Sequence, residues 1–99
     1  MINIEEQDGC IKIKGHAEYD DNGHDLVCAG VSTLAWTLVT MLKRCEALNY
    51  VEEESGDMTI YFENTKEAEP YLDYFRTGTE TMSMRWPENV AVQGRKENP

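Results

Sequence analysis

Isoleucines alternate with polar residues at the start of the chain: Ile2 and Ile4, then Ile11 and Ile13 interleaved with Lys12 and Lys14, with Gln7-Asp8-Gly9 between the two runs. A period of two on either side of a glycine turn predicts a β-hairpin. From Asp25 to Ala47 the period changes, and Val27, Val31, Leu34, Leu38, Met41 and Cys45 recur at three- and four-residue steps, the mark of one buried helical face. A second series on the same helix, Cys28, Ser32, Ala35, Trp36 and Val39, is also largely apolar. That helix is expected to be covered on two sides, one by a sheet and the other by a second helix or a second subunit. Asp25 suits its N-cap, and Lys43 and Arg44 suit the negative end of its dipole.

Tyr50-Val51, the turn Ser55-Gly56-Asp57, and Met58, Ile60 and Phe62 alternating with Thr59 and Tyr61 predict a second hairpin. After Asn64-Thr65 a second helix is expected over about Glu67 to Arg76, with Tyr71, Leu72 and Phe75 as its apolar side. Pro70 belongs in its first turn and Gly78 beyond its end. Met82, Met84 and Trp86 alternate with polar residues and read as a short edge strand; Val90 and Val92, after Pro87-Glu88-Asn89, read as another. The sum is an α/β (α+β) fold, a mixed sheet of about four to six strands built from hairpins with two helices packed against it. Residues 1–93 form one domain in this reading and 94–99 a polar tail.

Composition narrows the partners. With 19 acidic against 9 basic residues the net charge is −10, which argues against nucleic acid, whose phosphates would be repelled. A basic protein or basic peptide substrate would be attracted; the plainer reading is that the charge keeps a small domain solvated. There is no run of ~18 apolar residues and no signal-peptide pattern, so the expectation is a cytoplasmic protein with no membrane partner. Cys28 and Cys45 fall on one predicted helix, about 25 Å apart, too far to pair. Reduced thiols follow, with Cys10 and Cys45 filling apolar positions. No cofactor is implied.

The chemistry gathers at Gly15-His16-Ala17, at the exit of the second strand, and at Asp25-Leu26-Val27-Cys28-Ala29, at the start of the long helix. Strand ends hold catalytic groups well because a rigid element fixes them while solvent still reaches them. At the third helical position, the sulfur of Cys28 faces unpaired backbone N–H groups and the positive end of the helix dipole, both of which favour thiolate. The carboxylates of Glu18, Asp20, Asp21 and Asp25 oppose that and favour a charged imidazole. The loop from Glu18 to Gly23 can fold one element back on the other, the layout of a Cys/His nucleophile pair. Two roles are open to Asp25, cap of the helix or orienter of the imidazole. The N–H groups of Cys28 and Ala29 are candidate oxyanion donors. Gly23 and the acidic residues before it form either a flap or a solvated turn. Ser32, one turn after Cys28, either supports the thiol or substrate or simply packs. His24 reads as an exposed loop residue, and Trp36 or Trp86 as a dimer contact is an outside reading. Two other classes compete: a structural zinc site from Cys10, His16, His24 and Cys28, which lacks the paired short intervals of zinc fingers, and a noncatalytic acidic binding module.

The run Gly15-His16-Ala17, Gly23, Asp25-Leu26-Val27-Cys28-Ala29 and Val31-Ser32 resembles the signature of the ribosomal-processing cysteine proteases, the Prp (YsxB-like) family. The likeness extends more weakly over about residues 1–93, including the Trp86-Pro87 step. The resemblance implies a small cytoplasmic endopeptidase, usually a homodimer, with Cys28 as nucleophile and His16 as general base. Asp25 and Ser32 match motif positions near the site. It implies removal of a short N-terminal extension from a large-subunit ribosomal protein after an apolar, aromatic-rich segment; relatives in phage genomes make a phage structural precursor the alternative substrate. Two features depart from the pattern, His24 between the motif's glycine and aspartate and the extra polar tail.

Overall fold

The computed structural model describes residues 1–17, 20 and 25–93. Two hairpins form where the period of two placed them: β1 (Ile2–Gln7) with β2 (Cys10–Lys14), and β3 (Leu48–Glu54) with β4 (Asp57–Phe62). Between them runs α1 (Leu26–Arg44), and after them α2 (Glu69–Arg85) and β5 (Val90–Gln93). The strands make one sheet in the order β3-β4-β2-β1-β5. All neighbours are antiparallel except β1 and β5, which run parallel, so the sheet is mixed and the fold α+β. Gly23, His24 and the tail 94–99 lie outside the described residues, as does most of the loop assigned to a flap.

Register explains why the sheet has one greasy face. Ile4 pairs with Ile13, which pairs with Met58, and Ile11 pairs with Ile60, which pairs with Val51. These rows join buried Val27, Val31, Leu38 and Leu42 of α1 and Leu72 and Phe75 of α2 in one core cluster. On the opposite face Glu5, Lys12, Thr59 and Glu52 stand in register, a polar row. By length and composition alone α1 is apolar enough to cross a membrane, although no uninterrupted apolar run exists in the sequence. One face of that helix is buried in the core. The second apolar series on α1 divides: Ala35 and Val39 are buried, while Cys28 is half-buried and Ser32 and Trp36 are exposed.

The second helix corrects the sequence reading. It continues nine residues past Arg76 to Arg85, taking in all but the last residue of the stretch 82–86 expected as an edge strand, and Gly78 lies inside it. The period of two at Met82, Met84 and Trp86 masked a helical series, Ala68, Leu72, Phe75, Thr79, Met82 and Trp86. Polar Thr79 broke that series by eye, yet it is 1% exposed and its hydroxyl donates to the Arg76 carbonyl. Gly78 is there for packing: a Cβ would stand 2.8 Å from Leu34 Cδ2 of α1, and Gly30 of α1 likewise makes room for Met82. Pro70 sits in the first turn as expected. Trp86 is partly buried against the core, and Arg85 lies over its ring at 5.5 Å.

Candidate active site

His16 follows the end of β2, and Cys28 sits in the first turn of α1; both side chains line one cleft of about 180 Å³. The fold brings together what the sequence separates by twelve positions. The helix starts where it does because Asp25 caps it, its Oδ1 accepting the N–H groups of Val27 and Cys28, each at 3.0 Å. Such a cap stabilises by about 1 kcal/mol. Asp25 thus fills the capping role expected of it.

The segment carrying His16 is held from three directions. Gly15 N–H donates to the Gly56 carbonyl at 3.0 Å and to Asp57 Oδ1 at 3.3 Å, pinning the end of β2 to the β3–β4 turn. Ala17 N–H donates to Cys28 Sγ at 3.2 Å. Asn89 Nδ2, from the turn before β5, donates to the Ala17 carbonyl at 2.8 Å. The imidazole itself lies against Gly56, where a Cβ would stand 2.8 Å from His16 Nε2. That glycine also holds φ +79, a left-handed value that side chains resist.

The candidate oxyanion donors already have partners within the chain. Cys28 N–H is bonded to Asp25 Oδ1, and Ala29 N–H donates to the Asp25 carbonyl at 3.1 Å, so neither is a free oxyanion donor. The cap that makes the helix start also occupies the N–H groups of Val27 and Cys28. The zinc set fails as well: Cys10 opens β2 and His16 lies beyond its other end, at least about 13 Å away along an extended strand. His24 lies outside the described residues, and among those described no group of three or more His, Cys, Asp or Glu is placed to hold a metal. Cys10 is instead buried beside Tyr61, and burial pushes its thiol pKa up. Cys45 closes α1 as its C-cap, and all three cysteines are free thiols.

Gly56, Asp57 and Asn89 escaped sequence reasoning as site residues. Gly56 was visible as a turn residue, but its contact with His16 spans the sheet, and Asn89 reaches Ala17 across 72 positions. The cleft has two unlike walls. On the α1 side stand Ser32 and Trp36, the latter 42% exposed; on the hairpin side stand Glu53, Glu54 and Asp57. A second shallow cavity along α1 shares Ser32 and Trp36, so the cleft continues past the indole.

A thiol in the first turn of a capped helix and an imidazole lining the same open groove, on a small α+β scaffold, fit the class of cysteine proteases. The chain belongs to the cysteine protease Prp family, whose model matches residues 1–91. It is similar in structure to the ribosomal processing protease Prp from S. aureus with a covalently linked product peptide, at 22% identity and TM-score 0.82 over 95% of this chain and 97% of that one. The same S. aureus protease with a substrate peptide gives 20% identity and TM-score 0.75, again covering 95% and 97%. SMU.848 from Streptococcus mutans gives 23% identity and TM-score 0.74, covering 97% of this chain and 93% of that one. No curated protein sequence matches the chain.

Proposed function

We propose that this protease works through a Cys28/His16 dyad and removes the N-terminal extension of a basic ribosomal protein. The observation that supports it best is the cleft itself, where Cys28 and His16 face one groove walled by an indole on one side and three carboxylates on the other. His16 accepts the thiol proton, and the Cys28 thiolate attacks the scissile carbonyl, its sulfur forming the new S–C bond as the π pair moves to oxygen. The tetrahedral intermediate collapses, the C–N bond breaks, and the imidazolium protonates the leaving amine. Water, deprotonated by His16, then hydrolyses the thioester and returns the thiol. Ser32, on the groove wall one turn beyond Cys28, contacts the bound peptide.

The S. aureus protease has been solved with a covalently linked product peptide and with a substrate peptide, which supports a peptide lying in this groove. An apolar, aromatic cleavage segment suits the Trp36 wall, and a basic precursor suits the net charge of −10. The protein acts in the cytoplasm as a homodimer in this reading, which light scattering of the purified chain checks. The deciding experiment incubates the protein with a ribosomal protein carrying its N-terminal extension and, in parallel, with a phage structural precursor. Cleavage of the first, abolished by Cys28→Ser and by His16→Ala, supports the proposal. Cleavage of the phage precursor alone reassigns the substrate, and cleavage that survives Cys28→Ser removes the dyad.

A further inference from the structure

A cysteine protease needs a donor for the oxygen that becomes negative when the thiolate adds, and three N–H groups at the start of the helix, the usual source, already have partners here. Val27 and Cys28 N–H groups go to Asp25 Oδ1 and Ala29 N–H to the Asp25 carbonyl. Gly15 N–H is engaged twice by the β3–β4 turn. Among the described residues, an N–H aimed at the sulfur is that of Ala17, 3.2 Å from Sγ, on a residue only 1% exposed.

We infer that the Ala17 N–H is the oxyanion donor of this site and that Asn89 is the positioning residue that aims it, an assignment that rests on Cys28 being the nucleophile. In the resting enzyme the N–H bonds to sulfur. When sulfur forms its bond to the substrate carbon, the negative charge moves to an oxygen two bonds away, and an oxyanion donor must lie about 2.7–3.1 Å from that oxygen. A donor already 3.2 Å from Sγ reaches it with a small shift and exchanges a sulfur acceptor for a stronger, charged oxygen. The peptide must not turn away during that exchange. Asn89 secures it by donating at 2.8 Å to the carbonyl of the same residue, while the Asn89 backbone carbonyl is held separately by Ile2 N–H. The side chain is therefore replaceable without removing the strand connection.

The test compares two reactions of one sulfur. Acylation by the p-nitrophenyl ester of acetyl-phenylalanine passes through an oxyanion; alkylation by iodoacetamide does not. In Asn89→Asp, which keeps the shape but turns the donor into an acceptor, and in Asn89→Ala, Cys28 acylation should fall at least about tenfold, the low side of the roughly 10²-fold cost of deleting a donor outright. Alkylation of Cys28, read by peptide mass spectrometry, should stay within about twofold. Unchanged acylation overturns the inference, and so does a parallel loss of both rates, which would make Asn89 a support of the thiol or of the fold. If wild-type Cys28 forms no acyl-enzyme while cleavage proceeds through another residue, the dyad reading itself has failed and the inference falls with it.

Discussion

Two glycines with almost the same backbone separate fold from function at the scale of single residues. Gly9 turns β1 into β2 at φ +76 and Gly56 turns β3 into β4 at φ +79. Alanine at either must adopt a left-handed conformation, at a cost of roughly 1–2 kcal/mol. What differs is the neighbour. A Cβ at Gly9 meets a backbone carbonyl at 3.3 Å, whereas at Gly56 it meets His16 Nε2 at 2.8 Å and must push the imidazole aside. Chemical denaturation should therefore show similar losses for Gly9→Ala and Gly56→Ala. Peptide cleavage by the folded protein should drop about tenfold or more in Gly56→Ala alone, since small misplacements of a catalytic group cost up to about 10². Equal activity in the two variants would show that the Gly56 contact does not place His16.

At the scale of elements, the bounds of α1 and the start of α2 were legible to within a few residues, and the finish of α2 was not. Asp25 announced α1 because a cap is local chemistry, its Oδ1 lying within three residues of the N–H groups it accepts. The true end of α2 was hidden because Gly78 answers to Leu34 on another helix, a contact no local pattern carries. The end of α1 is a Schellman turn, with Ala47 N–H to the Leu42 carbonyl at 2.8 Å and Glu46 N–H to the Lys43 carbonyl at 3.1 Å. It places Glu46 at φ 59 where glycine is usual. Glu46→Gly should thus raise the unfolding free energy by about 1 kcal/mol, the strain relieved exceeding the chain entropy lost.

The β3–β4 pair carries a pH signature. Tyr61 stacks on Tyr50 at 4.5 Å, and its O–H donates to Glu52 Oε1 at 2.8 Å, which pushes the phenol up from its usual 10 to about 12. The folded protein therefore holds the proton more tightly than the unfolded chain. The stability it contributes is complete below about pH 10 and is lost as the pH rises toward about 12. Urea titrations of the wild type and Tyr61→Phe should differ by a constant amount up to pH 10 and converge above it. A gap that stays constant through pH 12 would show that the Glu52 bond does not hold the proton.

For the whole molecule, the sequence pointed to His16 and Cys28 as the proposed dyad and concealed the frame around them. That frame is built from contacts of high sequence separation: Gly15 to Asp57, Ala17 to Asn89, and Arg76 of α2 bonded through both Nε and Nη2 to Glu6 of β1 at 2.9 and 2.7 Å. Its charge, by contrast, was plain from composition, and the fold gives it a direction. Glu53, Glu54 and Asp57 face the cleft on a molecule of net charge −10, so approach of a cationic peptide is favoured at long range and approach of an anionic one opposed. Salt shortens that range from about 10 Å at 0.1 M to about 3 Å at 1 M. Between about 0.05 and 0.5 M NaCl, kcat/KM for a lysine-rich peptide should fall severalfold while a neutral peptide with the same apolar segment changes less than about twofold. The double variant Glu53→Gln, Glu54→Gln should flatten the slope for the lysine-rich peptide and leave the neutral one unchanged, because the apolar wall at Trp36 is untouched. If the two peptides respond to salt alike, the acidic hairpin serves solvation, and selection rests on the α1 wall alone.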